Sequence, residues 1–159
     1  MAVRNIRLQD DEILKKPCKP VKEINERIIT LLDDMQETMY LANGVGLAAP
    51  QVGVLRQVVV IDVGEGIIEL INPEIISREG EQVGYEGCLS VPGVMGIVAR
   101  PEKVIVRALN RNAEEFTIEG EGLLARALCH EIDHLSGHLY VELVEGDLVS
   151  NDYTEEEEE

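Results

Sequence analysis

The chain has 159 residues, 45% hydrophobic and 28% charged, which is the length and composition of one globular domain and excludes a chain disordered as a whole. Its formal charge is −17, and removing Asp152 and residues 155–159, six negatives, still leaves −11; phosphate binding lacks a basic footprint, and an anionic membrane surface would repel the chain. Aromatics are only 3%, too few for a base-stacking platform, so the core must be built from Ile, Val and Leu.

Taken in chain order, the N-terminal stretch reaches Arg4, Arg7, Asp10 and Asp11 with no apolar h-region, so the cytosol is the expected compartment. Pro17 and Pro20 bracket a loop. Val21, Ile24, Ile28, Leu31, Leu32, Met35 and Met39 then recur at helical spacing, with Glu23 and Glu26 placed to favour the dipole. The pattern predicts a helix over 24–41, ended by Asn43-Gly44. Residues 44–53 read as a Gly-rich apolar loop. Residues 38–55 are free of charge for 18 positions, but Asn43, Gly44, Gly46, Pro50, Gln51 and Gly53 argue against a membrane span.

Strands are predicted at 57–63, 67–71, 83–85, 103–109 and 114–118. After Gly120 and Gly122, a helical pattern runs from Leu123 to a stop at Gly137. Helix, several strands, helix implies an α+β fold, with mixed or antiparallel sheets packed around the second helix. Residues 1–150 form a single domain in this reading. Residues 151–159 are an acidic tail, expected to be solvated and frayed.

The second helix carries the chemistry. All 3 histidines of the chain lie at or just past it, as His130, His134 and His138. His130, Glu131 and His134 form H-E-x-x-H. Positions i and i+4 of a helix lie about 40° apart around the axis, one turn up, so both imidazoles can address one metal. Glu131 can then reach a water on that metal. Leu124, Leu128, Ile132 and Leu135 make a separate apolar stripe for packing. The plainer alternative is an amphipathic helix with two surface histidines. It leaves a glutamate on a half-buried helix without a partner, which is costly.

A catalytic site needs a third protein ligand. Some zinc proteases put a third histidine at the place that Tyr140 occupies; His138 does not fall there, and Gly137 is expected to break the helix before it. Only 25 residues follow His134, and the acids there are Glu142, Glu145 and the tail. Cysteine is the remaining type, and the chain has 3: Cys18, Cys88 and Cys129. Cys129 lies about 100° from His130 on the helix, which reads as core. Cys18 has no companion motif. Cys88, beside Gly87 and just after a strand, is either an exposed thiolate or a small buried hydrophobe.

Three segments carry a resemblance to a known family. GVGLAAPQ from Gly44 to Gln51, EGCLS from Glu86 to Ser90 and HEIDHL from His130 to Leu135 are similar to the three signature motifs of peptide deformylases, in that family's order. Weaker similarity runs from the N-terminus to about Leu143. The resemblance implies a metal-dependent hydrolase that removes the formyl group from N-formylmethionyl peptides and releases formate. It implies that Cys88, His130 and His134 hold one divalent metal, natively Fe²⁺, with Zn²⁺, Ni²⁺ or Co²⁺ possible in isolated protein. Glu131 would be the general acid/base. Gln51, through its amide, and Leu89, through its N–H, would stabilise the oxyanion. Gly46 would let the Gly-rich loop pass close to the substrate, with Val45, Leu123 and Ala127 lining a pocket for the methionine side chain. The resemblance also implies a monomer acting transiently near the ribosome, but the acidic end is not a basic docking helix. Two other readings stand beside it: a different small H-E-x-x-H metallopeptidase, or a non-catalytic metal module closed by His138.

Overall fold

The computed structural model describes residues 2–150; the acidic tail read from the sequence at 151–159 lies outside the described residues. Asn25 caps the first helix, α1 (Glu26–Leu41), its Oδ1 accepting the Ile28 N–H at 3.2 Å. The cap sets the start two residues inside the predicted one. Ile28, Leu31, Leu32, Met35 and Met39 are all buried, so the apolar period in the sequence is the packing face.

Five strands form one antiparallel sheet: β1 (Gly46–Ala48), β2 (Val58–Ile61), β3 (Ile68–Glu79), β6 (Lys103–Leu109) and β7 (Glu115–Glu121), in the order β1-β2-β3-β6-β7. A second sheet of three has β5 (Val91–Arg100) between β4 (Gln82–Cys88) and β8 (Glu145–Ser150). The second helix, α2 (Leu123–Leu135), follows β7. The order of helix, strands and helix is as expected, and the strand pairs are antiparallel. A parallel bridge joins Lys19 and Arg56 outside the strands.

The first sheet is covered on both faces, which explains the continuous apolar run in β2. Val59 and Ile61 pack with Ala125, Leu128 and Leu135 of α2. Val58 and Val60 pack with Leu31, Leu32, Met35 and Met39 of α1. Side chains alternate across a strand, so β2 feeds both cores. Each fully buried aliphatic side chain contributes about 1.5–3 kcal/mol. Cys18 and Cys129 belong to the α2 core, as the helix geometry predicted for Cys129. Burial pushes the Cys18 thiol up to about 11.

Several boundaries differ from the sequence expectation. The loop expected at 44–53 contains strand β1 and a 3₁₀ turn, Ala49–Val52. Three residues carry too short a pattern to signal a strand; pairing with β2 supplies it. Strand β3 continues through Asn72-Pro73 by shifting register between Ile71 and Glu74. Pro92, Gly93 and Gly96 obscure β5, whose pairing with β4 is irregular between Glu86 and Cys88. Strand β8 is exposed throughout and has no apolar alternation to read.

Candidate active site

Helix α2 presents two stripes. Leu124, Leu128, Ile132 and Leu135 enter the core. Arg126, His130 and His134, spaced by four, run up another side, and all three are buried. The chain then needs a stop. Gly137 takes φ 84°, and a Cβ there would lie 2.5 Å from the Lys15 carbonyl oxygen. The helix cannot continue to His138, which is exposed and sits 3.3 Å from Glu142 Oε1. His138 therefore does not close the site, and Glu142 is engaged with it and with the Leu139 N–H at 2.7 Å.

Cys88 comes from the second sheet, at the end of β4, with Leu89 and Ser90 forming the turn into β5. Cys88, His130 and His134 each offer a donor atom, and these atoms lie within 4.8 Å of one another. Cys88 Sγ is 3.5 Å from His134 Nε2. Ligand bonds of about 2.3 Å to sulfur and about 2.05 Å to nitrogen at a tetrahedral angle give a sulfur–nitrogen edge of about 3.5 Å. The trio therefore fits one small divalent cation. Tyr140, at the place where a third histidine was considered, instead stacks on the His130 ring with centroids 5.8 Å apart.

Glu86 orients the first ligand. Its Oε1 lies 2.7 Å from His130 Nδ1. Arg100 donates to it through Nε at 2.9 Å and Nη2 at 2.7 Å, and Arg126 through Nη1 at 2.8 Å. Burial raises the pKa of this carboxyl, but the bonds from Arg100 and His130 outweigh it and hold the group at about 2. An ionised Glu86 accepts a hydrogen bond from the Nδ1–H, which keeps that proton on Nδ1 and leaves His130 Nε2 free to ligate. Arg100 is in turn held by Asp133 at 2.7 Å. Glu86, Arg100, Arg126 and Asp133 were not singled out in the sequence. Glu86 lies inside the EGCLS motif, but nothing in one sequence says that its charge is buried.

Glu131 is buried, with Oε2 3.9 Å from His130 Nε2 and Oε1 without a hydrogen-bond partner. Buried polar atoms are normally paired, so this oxygen marks where a ligand or water belongs. Burial pushes the carboxyl up to about 7, in the range suited to proton transfer near neutrality. Gly46 makes the space: a Cβ there would lie 2.5 Å from Glu131 Oε2. The sequence reading gave this glycine to close substrate approach; the structure shows its clearance is filled by Glu131. Gly44 likewise abuts Leu89, where a Cβ would come within 2.6 Å of Cδ1.

Gln51 is buried in the 3₁₀ turn after β1. Its Oε1 accepts the Ala48 N–H at 3.0 Å, and its Nε2 lies 3.0 Å from Ser90 Oγ and 3.5 Å from Cys88 Sγ. The amide thus turns its donor end to the cysteine. Val45 and Leu123 are about half exposed, at 45% and 53%, whereas Ala127 lies in the α2 core. A surface groove of about 1150 Å³ lies at the N-terminal end of α1 and includes none of these residues.

One thiolate, two imidazoles and a buried glutamate on an α+β scaffold define the class of a mononuclear metallohydrolase. The comparisons specify which one. Residues 3–147 match the family model for polypeptide deformylase, so the chain belongs to that family. A peptide deformylase of Acetivibrio thermocellus is 67% identical over 144 residues, 91% of this chain and 85% of that protein. One from Agathobacter rectalis is 60% identical over 158 residues, 99% of this chain and all of the relative. The crystal structure of a Legionella pneumophila peptide deformylase superposes with a TM-score of 0.88 at 50% identity, over 91% of this chain and 87% of that one.

Proposed function

We propose that the chain removes the formyl group from N-formylmethionyl peptides by metal-assisted hydrolysis, with Cys88, His130 and His134 as the ligands. The observation that carries the site assignment is the convergence of the Cys88, His130 and His134 donor atoms within 4.8 Å of one another, with the buried Glu131 carboxylate 3.9 Å from His130 Nε2. When bound, a divalent metal lowers the pKa of water toward ~7 and polarises a carbonyl. Glu131 accepts the proton of the attacking water and hands it to the departing amine, so peptide and formate separate. Gln51 Nε2, 3.5 Å from Cys88 Sγ, and the N–H of Leu89, the next residue, donate to the formyl oxygen as negative charge develops there. Glu86 keeps His130 in the ligating tautomer throughout.

Soft sulfur with two imidazoles suits Fe²⁺, Zn²⁺, Co²⁺ and Ni²⁺. We take Fe²⁺ as the native ion, with the others able to replace it in isolated protein. Val45, Leu123 and Ala127 are proposed to meet the methionine side chain, the first two half exposed and the third buried. Residues 1–150 are the catalytic unit, and residues 151–159 are not part of it. The enzyme works as a monomer in the cytoplasm. Any ribosome association is transient; no helix among the described residues is long and apolar enough to cross a membrane.

The test is formate release from formyl-Met-Ala-Ser under anaerobic conditions, with unformylated Met-Ala-Ser as the control. Formate from the first and no cleavage of the second is the expected result. Cleavage of the Met–Ala bond in either peptide would make the chain a peptidase and overturn the reading.

A further inference from the structure

Ser90 has no role in the reaction as derived, yet it is fully buried beside the reacting centre. Its Oγ lies 3.0 Å from Gln51 Nε2. A glutamine amide can flip by half a turn and exchange its donor and acceptor ends. Here the two ends are fixed separately: Oε1 by the Ala48 N–H at 3.0 Å and Nε2 by Ser90. The amide has two N–H groups. With one directed to Ser90 Oγ, the other faces the cysteine side of the site, where Nε2 donates to Cys88 Sγ at a long 3.5 Å.

The backbone of the pair is held as well. The Arg7 N–H donates to the Gln51 carbonyl at 2.7 Å, and the Gln9 N–H donates to the Ser90 carbonyl at 2.9 Å. One N-terminal segment thus spans the 3₁₀ turn that carries Gln51 and the β4–β5 turn that carries Ser90. The distance between the two side chains is set by main chain bonded on both sides. A preorganised donor is effective because nothing needs to reorient as charge develops.

We infer that Ser90 is a positioning residue: its hydroxyl holds the Gln51 side-chain amide with one N–H aimed at the developing oxyanion. The inference rests on the proposed role of Gln51. It assigns Ser90 no contact with substrate or metal.

The test is a double-mutant cycle with Ser90→Ala and Gln51→Leu, in protein loaded with Co²⁺ and assayed on formyl-Met-Ala-Ser. A whole oxyanion donor is typically worth ~10²–10³-fold in kcat, so losing its orientation should cost about tenfold. Ser90→Ala should lower kcat by that amount with KM within about twofold, because the amide bonds more strongly to the charged oxygen than to the neutral one. Metal content and the visible Co²⁺ spectrum should stay those of the wild type, separating this effect from damage to the metal site. In the Gln51→Leu background the same serine change should cost nothing further, since there is no amide left to orient. A serine effect of equal size in both backgrounds would overturn the inference, as would unchanged kcat in Ser90→Ala alone. If Gln51→Leu itself leaves kcat unchanged, the oxyanion role falls too, and with it the inference. Should Ser90→Ala fold poorly, Ser90→Cys keeps a side chain of similar shape with only a weak sulfur acceptor and enters the same cycle.

Discussion

In the proposed mechanism Glu131 and the candidate ligand trio make different kinds of contribution, and substitution separates them. Glu131 is 3.9 Å from a nitrogen of His130 and is not among the three donors, so its loss should spare the metal. Glu131→Ala is expected to retain stoichiometric metal and native circular dichroism while kcat falls about 10²–10⁴-fold, the usual worth of a positioned proton carrier. Steady-state formate release together with elemental analysis checks both halves. Cys88→Ser and His134→Ala should do the reverse and lose metal first. Serine is a poor ligand for soft divalent ions, and alanine removes a donor from a site that has only three. Full metal occupancy in both variants would refute the assignment.

At the scale of elements, the site depends on how closely β1 passes over α2. Gly46 pairs with Ile61 of β2, and α2 packs against the same sheet. That arrangement leaves no room for a side chain between the β1 backbone and Glu131. Gly46→Ala should therefore displace the Glu131 carboxylate without abolishing the fold. Its backbone is not in the left-handed region, so alanine brings no conformational strain of its own there. The expected outcome is at least a tenfold loss of kcat, with the thermal midpoint changed by only a few degrees. A mere rise in KM would show that the loop meets substrate and leaves Glu131 undisturbed.

For the whole molecule, acidity acts through one buried network. Glu86 is held at about 2 against an ordinary 4.5, a depressed carboxylate value. Its contribution is present above pH 4.5 and is lost as pH falls through 2, below which folded and unfolded forms are both protonated. The difference corresponds to about 3 kcal/mol. Glu86→Gln should be less stable than wild type at pH 7, because Arg100 and Arg126 lose their counter-charge. Its urea midpoint should also depend less on pH between 4.5 and 2, and chemical denaturation across that window measures it. The acidic tail should matter far less. Ending the chain at Thr154 is expected to leave metal content and kcat/KM on a formyl peptide unchanged, since five adjacent like charges repel one another. Loss of metal on truncation would place a tail glutamate in the site.

Much of this protein was legible in its sequence because the signals are local. The period of α1, the stripe of Leu124, Leu128, Ile132 and Leu135, and the i, i+4 spacing of His130 and His134 all follow from one helix geometry. The third ligand was different. Between Cys18, Cys88 and Cys129 the local sequence left a choice, and only the resemblance to a family favoured Cys88. In the structure it is the meeting of the β4 end with α2, 42 positions apart at His130, that brings sulfur to the imidazoles. Strand β5 was hidden by Pro92, Gly93 and Gly96, and β8 by its exposure; both exist through pairing with other strands. The charge state of Glu86 and the clearance at Gly46 were also beyond the sequence, for the same reason. Burial, pairing of opposite charges and close approach are set by residues far away along the chain. A local pattern determines which face a residue takes, and the tertiary structure decides what it meets there.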